Sequence, residues 1–230
     1  MVKPKVVHYF TGQFLEKILP RYIPLTAIVF SAFIIVALLL FPGYKFFDYS
    51  ISSLGSPLKN PRGWFFFSVA QWSMTVLLLP FFILASRVLW KYQPRPAFIF
   101  RIAAIVMMTG TAIVGFFPEA PPVYAVHYIA AGMIFGGFFI AAVTSCLPLF
   151  IMRRQTRSTR LRISVATCLI FTISAFTTII IGTAMSAMIF FVAGGDPATF
   201  GLFFWEWMYL ASMIADIVLL GNIMISESST

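Results

Sequence analysis

Charge is what this sequence has least of. Asp, Glu, Lys and Arg together make up 10% of its 230 residues, against 60% hydrophobic ones, where an average soluble domain carries about 25% charged residues. That shortage excludes an ordinary water-facing surface. Histidine and cysteine number two each. Two cysteines cannot build a disulfide framework, and Cys146 and Cys168 read as small reduced apolar residues. Two histidines, with no HExxH or paired CxxC spacing, give no reason to expect a metal site, and no cofactor motif stands out either. Internal repeats and low-complexity tracts are also missing, which leaves the inverted-repeat logic of secondary transporters without support.

What is present in excess is hydrocarbon. Mean hydropathy is +0.95, and continuous apolar runs of about 20 residues recur, each long enough to cross ~30 Å of bilayer core. Their continuity argues for helices, since barrel strands alternate apolar-out and polar-in. The expected fold is all-α, a single polytopic membrane domain over the whole chain, folded as a bundle of six transmembrane helices. The spans fall at about residues 22–41, 64–90, 97–116, 124–151, 163–193 and 204–225. Residues 6–19 read as a short interfacial helix ahead of the first span. Gly132 and Gly136 form a GxxxG step expected to let another helix approach closely, and Gly182 with Ser186 a similar one.

Orientation follows from the basic residues. Lys3, Lys5, Lys17 and Arg21 precede the first span; Arg87, Lys91, Arg95 and Arg101 surround the second loop; Arg153, Arg154, Arg157, Arg160 and Arg162 fill the fourth. Lys45, Lys59 and Arg62 are the remaining three, all in the first loop. The positive-inside rule therefore places both termini in the cytoplasm of a cell (plasma) membrane protein. The net charge of +9 is explained by this topology, so a nucleic-acid partner is not expected.

The polar residues concentrate on the opposite, outer side. Asp48, Ser50, Ser53 and Asn60 lie in the first outer loop, Glu119 in the second, His127 at the start of the fourth span, and Asp196 and Glu206 around the last loop. Histidine is a ready general base, and Asp48 or Glu119 could orient His127 toward a water or a hydroxyl such as that of Ser50. The competing reading is structural: Asp48 caps a turn through Ser50, the serines hold loop backbone, and His127 is a satisfied interfacial residue. Asp216 stands apart near the middle of the sixth span. A carboxylate there needs a partner, a proton or water, and Arg87 and Arg101 are the candidate partners.

Ser50-Ile51-Ser52-Ser53-Leu54-Gly55, then Asn60-Pro61 and Trp64, then Gly115-Phe116-Phe117-Pro118 followed by His127 resemble the DUF998 family of small prokaryotic membrane proteins. More distantly the chain is similar to the Frag1/DRAM/Sfk1 group of six-span proteins. The resemblance implies Ser50, Ser53, Gly55, Asn60, Pro118 and His127 as family-like positions, and through the distant group a role in lipid remodelling or distribution. The expected function is binding or handling of a lipid or other apolar molecule in an outer-leaflet pocket under the first outer loop. The binding residues would come from Asp48, Ser50, Ser53, Asn60, Arg62, Glu119 and His127, with Lys45, Lys59 and Arg62 available for a lipid phosphate. The expected partners are membrane lipids, and other membrane proteins or further copies of the chain. Two alternatives stay open: an accessory subunit of a larger membrane complex, and a lipid hydrolase that uses His127.

Overall fold

The computed structural model describes residues 12–46, 48–155, 159, 162–170, 172–173 and 202–228. Among the described residues there is no strand. Five long helices carry the fold: α1 (Gly12–Leu39), α2 (Trp64–Tyr92), α3 (Pro94–Phe116), α4 (Tyr124–Gln155) and α5 (Leu202–Ser228). One 3-10 turn, Ser52–Gly55, lies in the first loop. All five helices are long and apolar enough to cross a membrane. Residues 162–170 and 172–173 are also helical, where the expected fifth span begins. The rest of that span, with Gly182 and Ser186, lies outside the described residues, as does Asp196.

Local chemistry sets the helix ends. Gln93 alone separates α2 from α3, with extended backbone (φ −152°, ψ 103°) and proline following it at the first position of α3. Proline has no N–H to lose at that position and a φ already suited to a helix, so the chain reverses into an antiparallel pair. α1 stops before Gly43, whose φ of +65° turns the chain into the left-handed region, which only glycine enters without steric cost. Helix α1 runs unbroken from Gly12, so the described part of the expected interfacial segment, residues 12–19, is continuous with the first span.

Sequential helices pack side by side, α1 on α2, α2 on α3 and α3 on α4, and α5 closes back against α1 and α2. Helix α2 also meets α4 and the 3-10 turn, which makes it the centre of the bundle. Phe81 and Leu89 of α2, Phe100 and Met107 of α3, and Leu149 and Met152 of α4 are the large side chains of this core, all fully enclosed.

The close approach of α3 and α4 depends on glycine, at positions other than the expected ones. A Cβ on Gly137 would sit 2.8 Å from the Ala103 carbonyl oxygen and 2.9 Å from the Met107 Cβ, and one on Gly110 would sit 2.6 Å from the Ala130 carbonyl oxygen. Gly132 and Gly136, the GxxxG pair, have nothing within 4 Å and face away from their described neighbours. Spacing identifies a small-residue face but does not say whether a helix lies opposite it. Gly137→Ala is therefore expected to lower the thermal unfolding temperature, by an overpacking cost of roughly 1–3 kcal/mol. Gly136→Ala, tested in the same detergent, is expected to leave it unchanged or raise it, since alanine favours helix by about 1 kcal/mol over glycine.

Candidate functional site

The first loop, between α1 and α2, does not float above the bundle; it is fastened to it by side chains. Asn60, fully buried, donates from Nδ2 to the Ala37 carbonyl at the end of α1 (2.9 Å) and to the Leu54 carbonyl in the 3-10 turn (2.9 Å). Its Oδ1 accepts the Gly63 N–H just before α2 (3.0 Å). Gly63 has no room for a Cβ, which would strike the Asn60 amide and the Ala37 carbonyl. Gly55 likewise lies flat against the Phe67 ring. The serines bond one another: Ser50 Oγ is 2.9 Å from both Ser52 Oγ and Ser53 Oγ, and it accepts the Ser53 N–H at 3.2 Å.

Two further ties reach other elements. Ser56 donates to the Glu119 carbonyl (2.7 Å), and Lys59 Nζ lies 3.0 Å from the buried Glu119 Oε1 and 3.2 Å from Ser53 Oγ. Tyr128 on α4 also donates to Glu119 Oε1, at 3.3 Å. On the far side, the Ile51 N–H donates to Glu206 Oε2 on α5 (3.1 Å). Beside that bond Trp207 donates to the Tyr44 hydroxyl (2.8 Å), which in turn donates to the Tyr49 carbonyl (3.2 Å). Burial pushes the Tyr44 phenol up to about 12, with the Trp207 N–H acting against the rise and the Glu206 charge adding to it. Tyr44 therefore keeps its proton, and its bond to Tyr49, throughout the physiological range.

Beneath Ile51 and Ser52 lies a cavity of about 90 Å³. Its walls are mostly apolar, with Phe30, Phe67, Met74, Ile134, Phe135 and Met213 among them, and its polar members are Ser52, Gln71, Thr111, His127, Tyr128 and Glu206. His127 is 0% exposed. Its Nδ1 lies 2.8 Å from the Phe117 carbonyl oxygen, and its Nε2, also buried, has no partner among the described residues. Glu119 Oε2 is a second such orphan.

The sequence candidates thus divide. His127 lines the cavity, and Glu119 stands behind it through Tyr128. Ser50, Ser53 and Asn60 are buried in the loop network and do not line the cavity. Asp48 is outside it altogether, its side chain 56% exposed and 3.5 Å from Lys45, and Arg62 is exposed. With Nε2 unpartnered, His127 holds no serine hydroxyl, so the geometry gives no support to a serine nucleophile activated by it. Glu206 was legible only as an outward carboxylate; what makes it part of the wall is a backbone N–H from a loop 155 residues earlier.

Asp216 occupies a different, smaller cavity of about 20 Å³ with Ser145, Cys168 and Thr172. Its neighbour is Thr172 Oγ1, 3.3 and 3.2 Å from the two carboxylate oxygens and 3.0 Å from the Cys168 carbonyl oxygen, which compete for its one hydrogen. Arg101, an expected partner, instead points its Nε at Ser86 Oγ (3.4 Å) and its guanidinium over Trp90. Cys146 and Cys168 are both free thiols.

The family model of proteins of unknown function called DUF998 matches residues 24–221. The chain belongs to the DUF998 family. That span runs from the middle of α1 through most of α5, and so takes in the fastened loop, the Phe117–Pro122 turn and the cavity. No curated protein and no solved structure matches it. Two outcomes test this site in the DUF998 protein. Asn60→Ala takes the side-chain donor from two buried carbonyls, while the Gly63 N–H keeps the backbone carbonyl of residue 60, and is expected to cost roughly 1–3 kcal/mol of stability, whereas Asp48→Ala is expected to be silent in the same thermal assay. Selective ¹⁵N-histidine NMR of a chain carrying His8→Gln is expected to show His127 as the Nδ1–H tautomer, with an unprotonated Nε2.

Proposed function

We propose that this protein is a multi-pass protein of the cell membrane, with both termini cytoplasmic, that binds or handles a lipid or other apolar molecule in the cavity beneath the first outer loop. One observation carries the reading: a mostly apolar cavity of about 90 Å³ into which the structure directs a fully buried histidine whose Nε2 has no partner. An apolar enclosure with a few convergent polar groups is the usual form of a small-molecule site, and an unpaired buried nitrogen costs about 1–3 kcal/mol. Orientation is supported by the basic residues: Arg153 and Arg154 end α4, and Arg101 lies near the start of α3, at the end of the bundle away from the loop network.

Volume limits what enters. An apolar cavity of ~150 Å³ accommodates benzene, so this one takes the end of a lipid-like molecule and not a whole acyl chain. The outward basic residues support a phosphate anchor poorly, since Lys59 is engaged by Glu119 and Ser53, and Lys45 pairs with Asp48.

Native mass spectrometry of the gently purified protein tests the reading. The wild type is expected to retain a defined small amphiphile, and Ala131→Phe, which fills the cavity from α4, is expected to lose it while unfolding at a similar temperature. Equal retention by that variant, or a wild type that carries stoichiometric foreign subunits and no small molecule, would overturn it.

A further inference from the structure

Resting on that binding reading, the polar atoms around the cavity specify what kind of molecular end fits. A carbonyl oxygen only accepts, so the 2.8 Å contact from His127 Nδ1 to the Phe117 carbonyl makes Nδ1 the donor. In a neutral imidazole the other nitrogen is then a lone-pair acceptor. Nε2 is that acceptor, buried and unpartnered on the cavity wall. Glu206 contributes carboxylate oxygens, one of them already taking the Ile51 N–H. The Thr111 hydroxyl gives its hydrogen to the Met107 carbonyl (2.9 Å), and Tyr128 gives its own to Glu119. Lone pairs are what these groups leave for an occupant. Gln71 and Ser52 are the lining groups whose hydrogens the geometry does not commit.

We propose that the cavity takes the polar end of an amphiphile that donates a hydrogen bond, a hydroxyl or a protonated amine on a hydrocarbon chain, and that it discriminates against carboxylates and phosphates. The donor pairs with His127 Nε2. The first carbons of the chain lie against Phe30, Met74, Phe135 and Met213, and the cavity volume leaves the rest of a long chain outside. Anionic ends find no cationic side chain in the wall. The sequence offered Lys45, Lys59 and Arg62 for a phosphate; the wall offers acceptors in their place.

The test uses the full chain in nanodiscs and three probes of equal chain length: 1-octanol, octyl methyl ether and octanoate. Saturable binding is read by saturation-transfer NMR and corrected for partition into empty nanodiscs. The alcohol is expected to bind about tenfold more tightly than the ether, the difference one net hydrogen bond makes, and octanoate most weakly. In His127→Phe the alcohol-to-ether ratio is expected to fall to about one with the ether still bound. Glu206→Gln serves if that variant fails to fold: its amide oxygen can keep the Ile51 N–H while its NH₂ brings a donor into the cavity, and it is expected to narrow the ratio. Equal affinity for alcohol and ether, or tightest binding by octanoate, would overturn the donor proposal while leaving the binding site in place. Absence of saturable binding by all three would overturn both.

Discussion

The Asn60 side chain is the fastening on which the loop end of this bundle depends. Its amide spans the end of α1, the 3-10 turn and the start of α2 with three hydrogen bonds, and so fixes a loop that connects the first two helices. A polar loop at a membrane surface has water as an alternative partner for every backbone group; it becomes ordered only where internal bonds replace that water. Asn60 suits this position because it carries two donors and an acceptor on one flat group. Aspartate has no donor when ionised, and serine too few arms.

From that fixed loop the site follows geometrically. Holding Leu54 holds the 3-10 turn, and the turn sets Ile51 so that its N–H meets Glu206 on α5. The same loop meets the loop between α3 and α4 through Ser56 and Lys59 on Glu119, and that second loop presents the Phe117 carbonyl to His127. The Lys59–Glu119 pair is half covered: the glutamate side chain is 6% exposed and the lysine 40%. Removing the lysine would leave a buried carboxylate with Tyr128 as its side-chain donor, which is why such pairs cost far more to break than they contribute to stability when made. The cavity is thus the space left beneath the first loop between the five described helices.

Much of the architecture was legible in the sequence because bilayer thickness sets helix length. Trp64, Phe116 and Tyr124 mark helix ends to within a residue of their expected places, since aromatic residues, Pro and Gly punctuate the apolar runs there. Helix neighbours were not legible, and Gly136 against Gly137 shows why: adjacent glycines on one helix are about 100° apart, and composition does not reveal which of the two faces a partner. The polar loop carried the same ambiguity. Asp, Ser and Asn beside Gly and Pro suit a binding pocket and a self-satisfied loop equally; Ser50 and Ser53 bond one another and Asn60 bonds backbone groups around it, while His127 alone of the expected candidates lines the cavity. Glu206 escaped selection because its partner is a backbone N–H, which has no sequence signature.

His127 separates structure from function within a single ring. Nδ1 is sufficient to hold the Phe117 carbonyl, and a structural role needs nothing from the opposite nitrogen. Asparagine or glutamine could also donate to a carbonyl, but their second polar atom would bring either a carbonyl dipole or a hydrogen into the cavity. Imidazole places one directed lone pair about 2 Å deeper than its donor, on a rigid ring that packs against apolar neighbours. A phenylalanine would fill the volume but leave the Phe117 carbonyl without its bond. A buried histidine with one nitrogen satisfied and the other without a partner carries a desolvation cost, and on a neutral ring whose Nδ1 donates, that second nitrogen can relieve it only by accepting.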